Sequence, residues 1–211
     1  MKLIHWSSKE NKKSILENGI KISDTWTSCS ILTPFHNLNR WWVDFLLNKK
    51  EQIGFIFELS ESDFPIVHSH WCIDTYQKQD DDLNVIEERR YNLSEILRDN
   101  PHSVFKNLSE LKEDYKRTII WRIGGTISEL GKDSDELIYQ NGIDLLKSDS
   151  KKINEFLDNP DFMEFVFEDY EVLLFNEIKP DRIIKVISEN EEYQYSELIN
   201  EIKTGANNGY K

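Results

Sequence analysis

The chain has 211 residues, 39 of them acidic and 26 basic, giving a formal charge of −13 and a pI near 4.9. That balance disfavours sequence-independent nucleic-acid binding, which depends on Lys and Arg neutralising phosphates, and disfavours association with acidic membrane surfaces. Apolar residues are 38% of the total and aromatics 12%, so the core must lean on the large area that each aromatic ring buries. Cys29 and Cys72 are too few for a framework of paired bridges and fit a reducing compartment. The N-terminus lacks the apolar centre of a signal peptide, and no stretch nears the ~20 apolar residues of a bilayer span. These features point to a cytoplasmic protein with no membrane partner.

In chain order, Leu3-Ile4-His5-Trp6-Ser7 reads as a short strand. Ser7-Ser8 offers a helix N-cap, Ile15 and Leu16 occupy the helix body, and Asn18-Gly19 closes it. Ile20 and Ile22 restart an extended segment. Residues 27–33 are a second strand ended by Pro34. Asn37 or Asn39 caps a helix carrying Trp41, Trp42, Phe45 and Leu46 at helical spacing, which reads as core packing.

Residues 53–59 form a strong strand with Ile53, Phe55, Phe57 and Leu59 on one face. After a turn over residues 60–65, residues 66–75 alternate again. Val67, Trp71 and Ile73 lie on one side, with His68, His70, Cys72 and Asp74 on the other. Residues 77–118 read as polar and helical in parts, with an acidic loop at Gln79-Asp80-Asp81-Asp82. Asn92 or Ser94 starts one short helix and Asn107 another. Residues 118–123 read as a strand stopped by Gly124-Gly125, and 126–160 as loops with one or two helices.

Toward the C-terminus, residues 170–175 are a strand. A turn through Asn176-Glu177 and Ile178-Lys179-Pro180-Asp181 leads to another strand over 182–187. Two strands joined this way suggest a hairpin or adjacent pairing. Residues 195–203 are a closing amphipathic helix, and 204–211 a tail. With no repeat and no linker, the expected organisation is one α+β domain over residues 1–203 with an insertion around 77–160.

Two of these segments together carry a resemblance. Leu3-Ile4-His5-Trp6-Ser7 followed by Ile15-Leu16-Glu17-Asn18-Gly19-Ile20 is similar to the opening of ADP-ribosyltransferases of the histidine-led branch, where a strand ending His-x-Ser/Thr precedes a helix and then Gly-Ile or Gly-Leu. Tyr170-Glu171-Val172-Leu173-Leu174, then Ile178-Lys179-Pro180-Asp181-Arg182-Ile183, resembles that family's late strand with a glutamate at its head and a Pro-containing turn behind it. The resemblance implies a split, mainly antiparallel sheet with flanking helices. It implies NAD as substrate and transfer of ADP-ribose to a macromolecular acceptor, protein slightly favoured over nucleic acid, in the manner of a bacterial or phage effector or toxin.

It also implies roles. Cleavage of the nicotinamide–ribose bond builds positive charge on the ribose, which a carboxylate stabilises, and Glu171 stands at that position. Glu168 and Glu177 are rivals nearby. His5 stands at the ribose-binding histidine and Ser7 at the small hydroxyl that follows. Trp6 stands where the family's backbone meets the nicotinamide amide. Ser28, Ser30 and Phe35 are candidates for the group beside the nicotinamide.

Two other readings compete. The charge of −13 suits a non-catalytic protein on the same fold that binds a basic partner. Alternatively, His68 and His70, with Cys72 or Asp74, have a spacing that lets them share a metal in a hydrolase.

Overall fold

The computed structural model describes residues 1–22, 26–32, 51–70, 75–79, 85–90, 94, 95, 98, 104–129, 131–159, 170–188, 191 and 200–204. The strands among them are β1 (Lys2–Ser8), β2 (Thr27–Ile31), β3 (Gln52–Glu58), β4 (Ile66–His70), β5 (Thr75–Gln79), β6 (Val85–Arg90), β7 (Val104–Phe105), β8 (Tyr170–Leu174) and β9 (Ile183–Ser188). Seven of them make one sheet in the order β7-β4-β8-β2-β1-β3-β9, and every pairing in it is antiparallel. Together with the helices below this is an α+β architecture, as the sequence predicts.

The opening unit forms because its two ends are pinned. β1 runs into a single 3-10 turn, Lys9–Asn11, and then α1 (Lys12–Asn18). The expected cap by Ser8 is not made; instead the Ser7 hydroxyl accepts from Asn11 Nδ2 at 3.0 Å. α1 stops at Gly19, whose φ of 82° is open to glycine at little cost. Glycine is needed there twice over, because an added Cβ would sit 2.2 Å from the Ile178 carbonyl oxygen. That close approach lets Ile20 and Ile178 exchange backbone hydrogen bonds of 2.8 and 3.0 Å, tying the first helix to the segment after β8.

The later part of the insertion is helical: α2 (Leu108–Gly125), α3 (Asp135–Ser148) and α4 (Ser150–Leu157). Asn107 caps α2 as expected, its side chain accepting from the Glu110 N–H at 2.9 Å. Residues 118–123 are not a strand. They complete α2, in which Leu111, Tyr115, Ile119 and Ile123 recur every fourth residue and are all buried. That stripe lies on one face of the sheet against Leu3, Cys29, Phe55, Phe57, Val172 and Leu174, forming the main core.

Gly124 does not stop a strand either. It lies inside α2 and faces Gly142 of α3. A Cβ on Gly124 would fall 1.8 Å from the Ile138 oxygen, and one on Gly142 would fall 2.1 Å from the Ile120 oxygen. The two helix backbones therefore touch where neither residue carries a side chain.

Two further expectations change. Residues 77–79 and 85–90, expected to lie in a polar, partly helical stretch, belong instead to the two-stranded ribbon β5–β6, which begins at Thr75. β8 and β9 do not form a hairpin: β8 sits between β2 and β4, and β9 pairs with β3 on the far side of β1. The chain between them crosses the sheet, and Arg182 anchors the crossing. Its guanidinium donates to both carboxylate oxygens of Asp63, at 2.7 and 2.6 Å, and to the Glu58 carbonyl at 2.7 Å.

The aromatic helix expected over Trp41, Trp42, Phe45 and Leu46 lies outside the described residues. Residues 200–204 are helical, with Ile202 in the core and Glu201 bridging Lys112 and Lys116 of α2. Among the described residues no helix is long and apolar enough to cross a membrane.

Candidate functional site

The sheet opens at one place. β1 pairs with β3 along its whole length, from Lys2↔Glu58 to Ser8↔Gln52. It pairs with β2 only at Leu3↔Ile31 and Ile4↔Ser30, with a flanking bond from the Leu32 N–H to the Lys2 carbonyl. Beyond Ile4 and Ser30 the ladder ends, while β2 continues against β8. The result is two half-sheets, β2-β8-β4-β7 and β1-β3-β9, joined at one short seam.

His5 is the first residue past that seam. The alternation of hydrogen-bonded pairs would bring the Ser28 carbonyl to the Trp6 N–H if the ladder went on. Instead, His5 Nδ1 lies 3.0 Å from the Ser28 oxygen. A carbonyl only accepts, so Nδ1 carries the proton and donates, leaving Nε2 as the acceptor nitrogen. Burial pushes the His5 pKa below its ordinary 6.5, and the bond to Ser28 only partly restores it. The imidazole at the seam is therefore neutral at physiological pH, with a fixed tautomer.

Glu171 lies in β8, one strand beyond β2, and is only 5% exposed. The β2–β8 register runs Thr27↔Leu174, Ser28↔Leu173, Cys29↔Val172, and continued by one step sets Ser30 opposite Glu171. On its other side Glu171 is paired with Ser69 of β4. A cross-strand row therefore reads Ile4, Ser30, Glu171, Ser69. Ser30 is 1% exposed, and its hydroxyl has no hydrogen-bond partner among the described residues. A buried carboxylate is a group on which small changes of position or charge are strongly felt.

Strand alternation decides what shares a face with what. Val172 and Cys29 point into the core beneath α2, so Glu171 and Ser30 point to the opposite face, with Ile4 and Trp6. His5 and Ser7 alternate to the side of Leu3 and Phe55, one residue out of the Glu171 row. The structure thus brings Glu171, Ser30 and Trp6 to one face and places His5 and Ser7 at the seam with the other parity. Ser28 contributes its backbone to His5. Phe35 lies outside the described residues.

The rival groups sort clearly. Glu177 is exposed and ion-paired with Lys21 at 2.7 Å, as a surface residue would be, and Glu168 lies outside the described residues. Cys29 is buried, and its thiol pKa is pushed up by burial and then by the negative charges of Glu171 and Asp63, so it is a poor nucleophile. His68, 4% exposed, points into the core. Its ring lies 4.6 Å from that of Tyr115 and 5.9 Å from that of Phe105, with Nδ1 3.5 Å from Asp114 Oδ2. The His70 side chain, Cys72 and Asp74 lie outside the described part, and among the described residues no three His, Cys, Asp or Glu converge as a metal site.

Ser69 was not singled out from the sequence. It becomes a site residue only through the β4–β8 register, which no local pattern encodes. No protein-family model, curated protein or solved structure matches the chain.

Proposed function

We propose that this protein is an NAD-dependent ADP-ribosyltransferase on an ADP-ribosyltransferase-like split sheet, with Glu171 as the catalytic carboxylate. The observation that carries the reading is the placement of Glu171. It is a buried carboxylate in the strand next to β2, at the level where β2 parts from β1, with a neutral histidine on the other side of β2. Two segments from opposite ends of the chain, each resembling the same family, meet across one intervening strand.

In this reading the bond between ribose C1′ and the nicotinamide nitrogen breaks, and its electron pair leaves with nicotinamide. The Glu171 carboxylate stabilises the positive charge on the ribose. It then takes the proton from the acceptor's nucleophile as the new bond to C1′ forms. By strand parity His5 faces away from Glu171, so its Nε2, an acceptor by tautomer, would meet a ribose hydroxyl at the seam itself, where β1 and β2 part. Ser30 stands opposite Glu171 when the β2–β8 register is continued, and the backbone of Trp6 would meet the nicotinamide amide. The acceptor is a macromolecule, and the charge of −13 favours a protein over a nucleic acid.

Labelled NAD incubated with the protein and a cell lysate should release nicotinamide and transfer label. Glu171→Gln should lower the rate by roughly 10²–10³-fold, the usual loss when a group stabilising transition-state charge is removed. Its thermal midpoint should stay within a few degrees of wild type. Full turnover in Glu171→Gln would remove this residue from the mechanism. Absence of any nicotinamide release by the wild type, across lysates from several hosts, would remove the activity.

A further inference from the structure

A second concave feature lies on the helical layer, away from the sheet seam. Between α2 and α3 is a cavity of about 430 Å³, and none of the seam residues lines it. That volume lies at the small end of the range of small-ligand sites. α2 contributes Asp114, Arg117 and Trp121, whose spacing puts them on one helix face, and α3 contributes Asp135 and Tyr139, one turn apart. Both rings are half-buried while Arg117 and Asp135 are exposed, so the rings stand deeper than these two charges.

The charged groups divide into those already engaged and those not. Asp114 Oδ2 lies 3.5 Å from Nδ1 of the buried His68. Arg122, which also borders the cavity, has its guanidinium 5.3 Å from the centre of the Trp121 ring and is already engaged. Arg117 and Asp135 differ. The Arg117 guanidinium lies 5.1 Å from the centre of the Tyr139 ring, which holds its π face and leaves the N–H donors in its plane open. Among the described residues those donors have no hydrogen-bond or ion-pair partner, the Asp135 carboxylate has none either, and the two do not pair with each other.

One cavity thus presents an unpaired positive group, an unpaired negative group and two aromatic rings. A simple anion would pair with Arg117 and be repelled by Asp135, and a simple cation would meet the reverse. A zwitterion satisfies both. In a free aromatic α-amino acid the carboxylate and the ammonium share one carbon, so both charges can stay at the mouth while the ring enters against other rings. We propose that the α2–α3 cleft binds such an amino acid, with its carboxylate on Arg117, its ammonium on Asp135 and its ring against Trp121 and Tyr139. The site does not depend on Glu171 and stands whether or not the seam cleaves NAD.

Calorimetry on the full chain with L-phenylalanine, 3-phenylpropionate, phenethylamine and L-alanine tests this, the last three lacking the ammonium, the carboxylate and the ring in turn. L-Phenylalanine should bind saturably and at least tenfold more tightly than each of them. Arg117→Gln should weaken phenylalanine at least tenfold and leave phenethylamine unchanged. Asp135→Asn should weaken phenylalanine at least tenfold and should not weaken 3-phenylpropionate. Both replaced side chains are exposed, so circular dichroism should stay as in the wild type. Glu171→Gln should bind phenylalanine as the wild type does. The proposal is overturned if the wild type takes up no phenylalanine, if any of the three partial ligands binds as tightly, or if either cleft variant binds phenylalanine normally. It is also overturned if Glu171→Gln abolishes binding.

Discussion

Glu171 and Asp63 are both buried carboxylates, and the partners of Asp63 set its titration. Asp63 is 1% exposed and receives a bidentate Arg182 guanidinium together with the Ser60 N–H at 2.8 Å and the Ser60 hydroxyl at 3.1 Å. Burial alone would raise its pKa, but these donors outweigh burial and leave it below the ordinary 3.8. The sign of the pH effect follows. Because the folded pKa is the lower one, the stability that Asp63 contributes is complete above its unfolded pKa, and it is lost as pH falls through the folded value. Asp63→Asn should cost roughly 3–5 kcal/mol near neutrality, since it strands Arg182 without its counter-charge. The gap between wild type and variant should narrow as the pH of a denaturant titration is taken progressively below the ordinary 3.8. A gap independent of pH would show that the charge of Asp63 is not what matters.

Helix α2 shows which elements the sequence discloses and which it hides. Its start was legible, because Asn107 and Glu110 stand at cap spacing before an apolar run. Its end was not. Thr118-Ile119-Ile120 is β-branched and reads locally as strand, although Ile119 and Ile123 continue a four-residue repeat begun at Leu111 and Tyr115. The repeat won because it aligns a stripe with the sheet, and burial of four large side chains outweighs a few tenths of a kcal/mol of propensity. The opening β1–α1 unit and the existence of β8 were legible for the same kind of reason, through a glycine cap and an apolar run. The neighbours of β8 were not, because strand pairing is decided between distant segments, and so Ser69 beside Glu171 could not be found.

The Gly124–Gly142 contact supplies the test at this scale. Gly→Ala in an exposed helix gains about 1 kcal/mol. Here either Gly124→Ala or Gly142→Ala should instead lose about 1–3 kcal/mol, because the new methyl meets backbone rather than a side chain that can turn away. Chemical denaturation of the two variants reads the sign directly, and a stabilised variant would show that α2 and α3 can separate without loss.

At the scale of the molecule, the charge of −13 works against compactness. Exposed pairs such as Lys9–Glu51 and Lys132–Glu129 offset little of this, at roughly 0–1 kcal/mol each. Raising salt from about 0.01 M to 1 M shortens the screening length from roughly 30 Å to 3 Å. The thermal midpoint should therefore rise across that range. A midpoint that falls would mean that favourable ion pairs outweigh the repulsion.

The insertion of β8 between β2 and β4 has a consequence for biosynthesis. β2 and β4 are made early, yet the strand that lies between them is translated only after α2, α3 and α4. Until then each presents an open edge able to recruit another chain. The same late strand carries Glu171, so a polypeptide whose synthesis stalls before it holds the seam histidine but not the carboxylate. Closure of the gap between β2 and β4 and arrival of the proposed reactive group are one event, and a chain stalled before it would be chemically silent.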